Sequence, residues 1–245
     1  MLDTNDLEYL PSSEELPDSD DTPVDNEIQN LIPNLLKMVL GFLWPDRYDY
    51  FFGVDMGIYD LEGQRTRTPI IPDGFLSLGV PRLTGERGRL SYVIREENNV
   101  VPFLVLEVVS QKYGGEYDKK MQIYATMGVL YYVIYNSHHW KRRKRDPFEV
   151  YRLDNGVYQR ILGNPVWIDE IELGIGVERG IYEGWERNWL YWYNQAGIRY
   201  EIPEEMIENL QQQLQEQQQL AAEESQKREE LENLLKEYQR RFGNL

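Results

Sequence analysis

The chain has 245 residues, of which 41% are hydrophobic and 18 are tyrosine, enough for one good-sized core with appendages. It has no cysteine, which excludes disulfides and cysteine-based zinc sites and fits a reducing compartment. The net charge of −16 sits in the arms: residues 1–27 hold ten acids and no base, residues 204–245 hold ten acids and five bases, and the rest holds 22 acids and 21 bases. A nearly neutral body leaves a polyanionic ligand open but argues against strong nonspecific DNA binding.

Residues 1–25 are rich in Asp, Glu, Ser and Pro and carry too little apolar surface to order themselves, so an acidic disordered tail is expected, with shielding of a basic groove as the alternative. From Asp25 to Leu43, Ile28, Leu31, Ile32, Leu35, Leu36, Val39, Leu40 and Leu43 recur at helical spacing. Asp25 or Asn26 suits the N-cap, and Pro33 predicts a kink or a later start. Strands are expected at Tyr48–Tyr59, Gly74–Leu78 and Pro102–Val109, with Asp60-Leu61-Glu62-Gly63 as a turn and 81–99 as an excursion holding a short strand at Leu90–Ile94. A helix from Tyr117 to Met127 ends on Gly128, and Val129–Tyr135 reads as a buried strand. Asp154-Asn155-Gly156 joins Phe148–Leu153 and Val157–Leu162 as a hairpin. This order indicates an α/β (α+β) domain with a mixed sheet over residues 26–202. No apolar run spans a bilayer and no basic-led hydrophobic leader is present, so a soluble, cytoplasmic protein is expected.

Residues 203–245 form a separate element. Ile207, Leu210, Leu214, Gln217, Ala221, Glu224, Arg228, Leu231, Leu235, Tyr238 and Phe242 follow alternating steps of three and four, a heptad seam that is apolar at both ends and polar in the middle. A coiled-coil helix that dimerises the chain is expected. A single helix folded onto the body is the alternative.

Two acids stand out. Asp73 follows Pro72, and Glu107 lies inside the otherwise apolar run Val100 to Val109. Burying an unpaired carboxylate is costly, so Glu107 needs a partner. A divalent metal shared with Asp73 would supply one. Lys120, at the start of the next helix, can point back at Glu107 if that helix packs against the strand end, and Glu27, at the head of the first helix, would approach from the other side. Hard carboxylate oxygens around Mg²⁺ or Mn²⁺, with a lysine beside them, are the parts of a phosphodiesterase site. The plainer readings are a turn acid for Asp73, an edge or arginine-paired acid for Glu107, a solvent-facing charge for Lys120 and a helix-dipole acid for Glu27.

Pro72-Asp73, then Pro102-x4-Glu107-Val108-x-Ser110, then Lys120-x3-Tyr124, then Gly128-Val129-x-Tyr131-Tyr132 resembles the Uma2 (DUF820) family. That family is common in cyanobacteria and belongs to the PD-(D/E)XK nuclease superfamily. The resemblance spans residues 24–200 and implies a restriction-endonuclease-like core of helix, three-stranded meander, helix and strand. It also implies metal ligation by Asp73 and Glu107 and supports endonuclease activity more firmly than any particular substrate. The superfamily lysine normally stands two residues after the glutamate, where this chain has Val109. In Uma2-like sequences it moves to the following helix, and Lys120 is the matching residue.

Other features carry less. The run His138-His139-Trp140-Lys141-Arg142-Arg143-Lys144-Arg145 would grip phosphates, line a solvated loop or dock the acidic tail. The histidines lack further ligands for zinc. Trp185, Trp189, Tyr191, Trp192 and Tyr193 read as core or interface, and Gly174-x-Gly176 lacks the context of a nucleotide loop. The expectation is a Mg²⁺- or Mn²⁺-dependent endonuclease acting on DNA as a dimer. The alternative is a catalytically weak interaction module that assembles through its C-terminal helix.

Overall fold

A computed structural model describes residues 27–60, 69–110, 114–136 and 145–243. The acidic tail, the turn after Asp60 and the run 137–144 lie outside these residues.

The first helix, α1 (Glu27–Leu43), buries Ile28, Ile32, Leu35, Leu36, Val39 and Leu40, the stripe that its spacing predicts. Pro33 lies inside it without ending it, and its ring is buried on the side that meets the start of a strand. A side chain at Gly74 would bring its Cβ within 2.9 Å of the Pro33 Cβ, so glycine lets helix and strand approach there.

The expected strand Tyr48–Tyr59 is two strands, β1 (Tyr50–Val54) and β2 (Ile58–Tyr59). Asp55 adopts a left-handed φ of 49° between them, which breaks the extended run. β3 (Gly74–Leu78), β4 (Tyr92–Val93) and β5 (Leu104–Val108) follow, then α2 (Lys119–Met127) and β6 (Tyr131–Tyr135). β1, β3 and β5 form an antiparallel meander, and β6 runs parallel to β5. Parallel neighbours need a crossover, and α2 supplies it. The Asp118 side chain accepts from the Lys119 N–H at its start, and Gly128, at φ 93°, closes its end. Tyr124 and Met127 of α2 pack with Val105, Tyr132, Ile134 and Tyr151 in one core cluster.

β7 (Phe148–Asp154) and β8 (Val157–Ile161) complete a six-stranded sheet in the order β1-β3-β5-β6-β7-β8. Asn155 and Gly156 have positive φ, the tight hairpin turn that their sequence predicts. β4 does not join this sheet: it pairs in parallel with β2.

The excursion 81–99 is pinned by a buried ion pair. Arg89 donates Nε to Glu97 Oε1 at 2.5 Å and Nη2 to Oε2 at 2.9 Å, and the two side chains are only 4% and 9% exposed. Its guanidinium also lies over the Phe51 ring at 4.3 Å. Removing one partner leaves the other charge buried, so Arg89→Ala should lower unfolding free energy by about 3 kcal/mol in urea titrations. A loss below ~1 kcal/mol would show that the pair is merely a surface contact.

A second sheet, not expected from the sequence, is built from β9 (Val166–Ile168), β10 (Leu173–Tyr182) and β11 (Trp185–Tyr193), in the order β11-β10-β9. Its aromatic residues are core: Trp189, Tyr191, Trp192 and Tyr193 are buried, while Trp185 is half exposed. α1 packs against β1, β5 and β11, and the Trp192 indole donates to the Leu36 carbonyl at 2.9 Å. Gly176 belongs to β10, where a Cβ would come within 2.8 Å of the Pro165 Cα. It serves close packing, not a phosphate loop.

Residues 201–245 form a separate compact unit whose main element is α3 (Pro203–Phe242). Glu205 accepts from the Ile202 N–H at 3.0 Å at its head, and Arg240 and Arg241 lie in its last turn, both matching the helix dipole. α3 buries none of its residues. Among the described residues, no helix is long and apolar enough to cross a membrane.

Candidate active site

Gly74 of β3 pairs with Leu106 of β5, so the register one residue further sets Asp73 opposite Glu107. Both acids are buried, Asp73 8% and Glu107 1% exposed. Local backbone and side chains hold all four carboxylate oxygens. Asp73 Oδ2 accepts from the Val108 N–H at 2.6 Å, and its Oδ1 accepts from Gln29 Nε2 of α1 at 3.1 Å. Glu107 Oε2 accepts from Lys120 Nζ at 2.7 Å, and its Oε1 accepts from the Tyr124 hydroxyl at 2.6 Å. Lys120 and Tyr124 stand four residues apart on α2, so one helical face delivers both groups to the two oxygens of one carboxylate. Lys120 is fixed at its backbone too, its N–H donating to the Gly115 carbonyl at 2.9 Å.

A third acid, Glu116, is buried beside this pair and accepts from the Gly114 N–H at 3.0 and 3.2 Å. It adds negative charge felt by Glu107 and Lys120.

The electrostatics are unbalanced. Burial, and then the charge of Glu107, push the Asp73 pKa well above the usual carboxylate range, against the Val108 N–H, Lys120 and Gln29. Burial likewise raises Glu107, opposed by Lys120 and Tyr124. Burial disfavours the Lys120 ammonium, but Glu107, Asp73 and Glu116 outweigh it and raise its pKa. Burial and the Glu107 charge hold the Tyr124 hydroxyl well above its usual value, so it acts as a donor. Among the described residues, two adjoining carboxylates and a third nearby thus face one ammonium in a poorly solvated site, a state that favours taking up a proton or a cation.

The donor set fits a hard cation. Asp73 and Glu107 are two hard oxygen ligands, and Mg²⁺ is commonly held by one or two carboxylates with water and substrate phosphate in its other positions. Among the described residues, no group of three or more His, Cys, Asp or Glu is placed to hold a metal ion. An ion held by these two side chains would keep an open sphere.

Of the four residues singled out in the sequence, the structure brings Asp73, Glu107 and Lys120 together. Glu27 is exposed at the first residue of α1, and it is Gln29, two residues on, that reaches Asp73. Val109, at the usual lysine position, packs against the core cluster. Sequence reasoning missed Gln29 and Glu116 and gave Tyr124 no role. A lone glutamine near a helix start carries no signal, and Tyr124 reads as one more core aromatic. Of the basic run, Arg145 lies within the described residues and stacks over Tyr117 at 4.5 Å.

No curated protein matches the chain. Among solved structures it is similar to one described as "a putative nuclease belonging to DUF820" from Anabaena variabilis, with 11% identity, 60% of this chain and 73% of that chain covered, and a TM-score of 0.40. Nothing further rests on that likeness. Residues 17–179 match the model of the Uma2 family, described as "Putative restriction endonuclease". The helix α1, the meander, the crossover α2 and the parallel β6 follow the order that such a core requires. With well over half its length matched, including Asp73, Glu107 and Lys120, the chain belongs to the Uma2 family.

Proposed function

We propose that the chain hydrolyses phosphodiester bonds in DNA with a Mg²⁺ or Mn²⁺ ion held by Asp73 and Glu107. The observation that carries this reading is the meeting of two buried carboxylates, both with raised pKa, against the Lys120 ammonium, the only one at the pair among the described residues. When bound, the divalent ion supplies the missing positive charge, polarises the phosphate and acidifies a water molecule. The Val108 N–H and Gln29 orient Asp73, and Tyr124 orients Glu107. Lys120, beside Glu107 and partly open to solvent, presents its ammonium to the negative charge that develops on the phosphate, or orients the attacking water.

Tyr124 acts through Glu107 and not on the substrate. Tyr124→Phe keeps the ring against Tyr132, 5.3 Å away, and removes only the hydroxyl. It should weaken metal affinity by about tenfold or more, as loss of a group orienting a ligand commonly does. Titration with Mn²⁺ beside a thermal melt checks this, and unchanged affinity would assign the hydroxyl to packing alone.

Supercoiled plasmid and single-stranded DNA, incubated with Mg²⁺ or Mn²⁺, test the activity. The parent should cut in a metal-dependent manner, and Asp73→Ala and Lys120→Ala should not. Cutting that survives in both variants would come from another site and contradict the assignment. A second reading, a catalytically weak interaction module, is favoured by the uncovered face of α3. Absence of cutting under every condition would favour it.

A further inference from the structure

Among the described residues, α3 carries leucines that stay largely exposed. Leu210, Leu214, Leu231 and Leu235 are 64%, 56%, 66% and 57% exposed. A long helix with an uncovered apolar seam draws its stability from a packed partner. We propose that the partner is α3 of a second copy of this chain, paired antiparallel, with Arg228 of each copy facing Glu224 of the other.

The polar middle of the seam decides the direction. In a parallel, in-register pair each seam position meets its own copy. Glu224 would face Glu224 and Arg228 would face Arg228, setting like charges in two successive layers. Reversing one helix brings positions of one seam class against those of the other. Placing Arg228 against Glu224 of the second copy turns both repulsive layers into opposite-charge pairs, and the two-fold axis makes each contact twice. In the single chain Arg228 is 83% exposed and spans only 3.4 Å to Glu232, one turn ahead, a contact that is easily exchanged.

That one register also settles the ends. Ala221 comes against Leu231 of the second copy, small against large. Leu214 comes against Tyr238, and Leu210 against Phe242, so each apolar end covers the other. Leu220 and Leu234 lie outside the seam and are each 61% exposed. The same register brings them together along its flank. Two features oppose it: Leu235 comes against the polar Gln217 within the seam, and Lys227 approaches its own copy at the rim, where a parallel pair would set it near Glu232. Rim charges stay hydrated and contribute little, whereas seam charges lose water, so the seam layers prevail. The pairing is independent of the chemistry proposed for Asp73 and Glu107.

The full-length chain tests this directly, because the absence of native cysteine makes each introduced thiol a clean reporter. Light scattering should give the mass of two chains. A short bismaleimide should link Ser225→Cys chains into covalent dimers, because the two residues flank the same crossing. Leu210→Cys chains should stay unlinked, their thiols about 48 Å apart at ~1.5 Å per residue. Arg228→Glu should weaken dimerisation roughly tenfold or more, and adding Glu224→Arg should restore it. Far-UV ellipticity confirms that each variant keeps its helix. A monomer at high micromolar concentration, a mass other than two chains, linkage at position 210 instead of 225, or a charge reversal without effect or without rescue would each overturn the proposal.

Discussion

Glu107→Gln should lower metal-dependent DNA cleavage by at least about a thousandfold, equivalent to ~4 kcal/mol of transition-state stabilisation. The substitution is nearly isosteric and keeps an oxygen for the Tyr124 hydroxyl. It removes the charge that sits 2.7 Å from Lys120 and opposite Asp73. The Lys120 side chain is 26% exposed, so its ammonium can turn to water and the fold should persist. Glu116→Gln is the informative control. Its carboxylate bonds to the Gly114 N–H and not to the shared pair, so the loss there should be far smaller. Initial rates on plasmid decide this. Equal losses in the two variants would mean that overall negative charge, not the Asp73–Glu107 pair, supports the reaction.

Asp73→Asn should abolish cleavage and yet stabilise the metal-free protein. The amide keeps an acceptor for the Val108 N–H, and Gln29 can rotate its own amide to match. What disappears is a buried charge facing Glu107. The pH dependence has a definite sign. A carboxyl whose folded pKa is raised binds more protons folded than unfolded, so stability falls as pH rises. The penalty begins near the ordinary value of 3.8 and is complete above the raised folded pKa. In EDTA at pH 8 the Asn variant should therefore gain about 1 kcal/mol, a shift of a few degrees in Tm. The gain should vanish towards pH 4. A Tm below that of the parent at pH 8, or a difference independent of pH, would remove the basis for reading this site as charge-strained. Mn²⁺ should raise the Tm of the parent and leave the variant unmoved, since only a bound ion stabilises by linkage.

The candidate site was legible where chemistry conflicts with local pattern. Glu107 interrupts a run that otherwise reads as a buried strand, and that conflict marks it without any structure. Lys120 needed the family resemblance, because a lysine among charges at a helix start is ordinary. Gln29 was invisible: its contact with Asp73 depends on where α1 lands, not on any local pattern. Pro33 suggests a kink or a later start of α1, yet the helix starts before it and runs on through it, its ring packed against Gly74. The second sheet was missed for a related reason. Three glycines and the adjacent Glu178-Arg179 in Leu173–Tyr182 weaken the strand signal, and those glycines sit where neighbouring backbone and side chains approach closely. Asn155-Gly156, by contrast, specifies its turn by backbone conformation alone, and the hairpin followed as expected.

The most direct test of the shared carboxylate site is calorimetric titration of the EDTA-stripped protein with Mn²⁺, run beside Asp73→Asn and Glu107→Gln at two pH values. The parent is expected to show a site that weakens as pH falls, because the raised Asp73 pKa lets protons compete with the ion, and that is lost in both variants. Binding that survives in either variant would contradict a metal held jointly by Asp73 and Glu107.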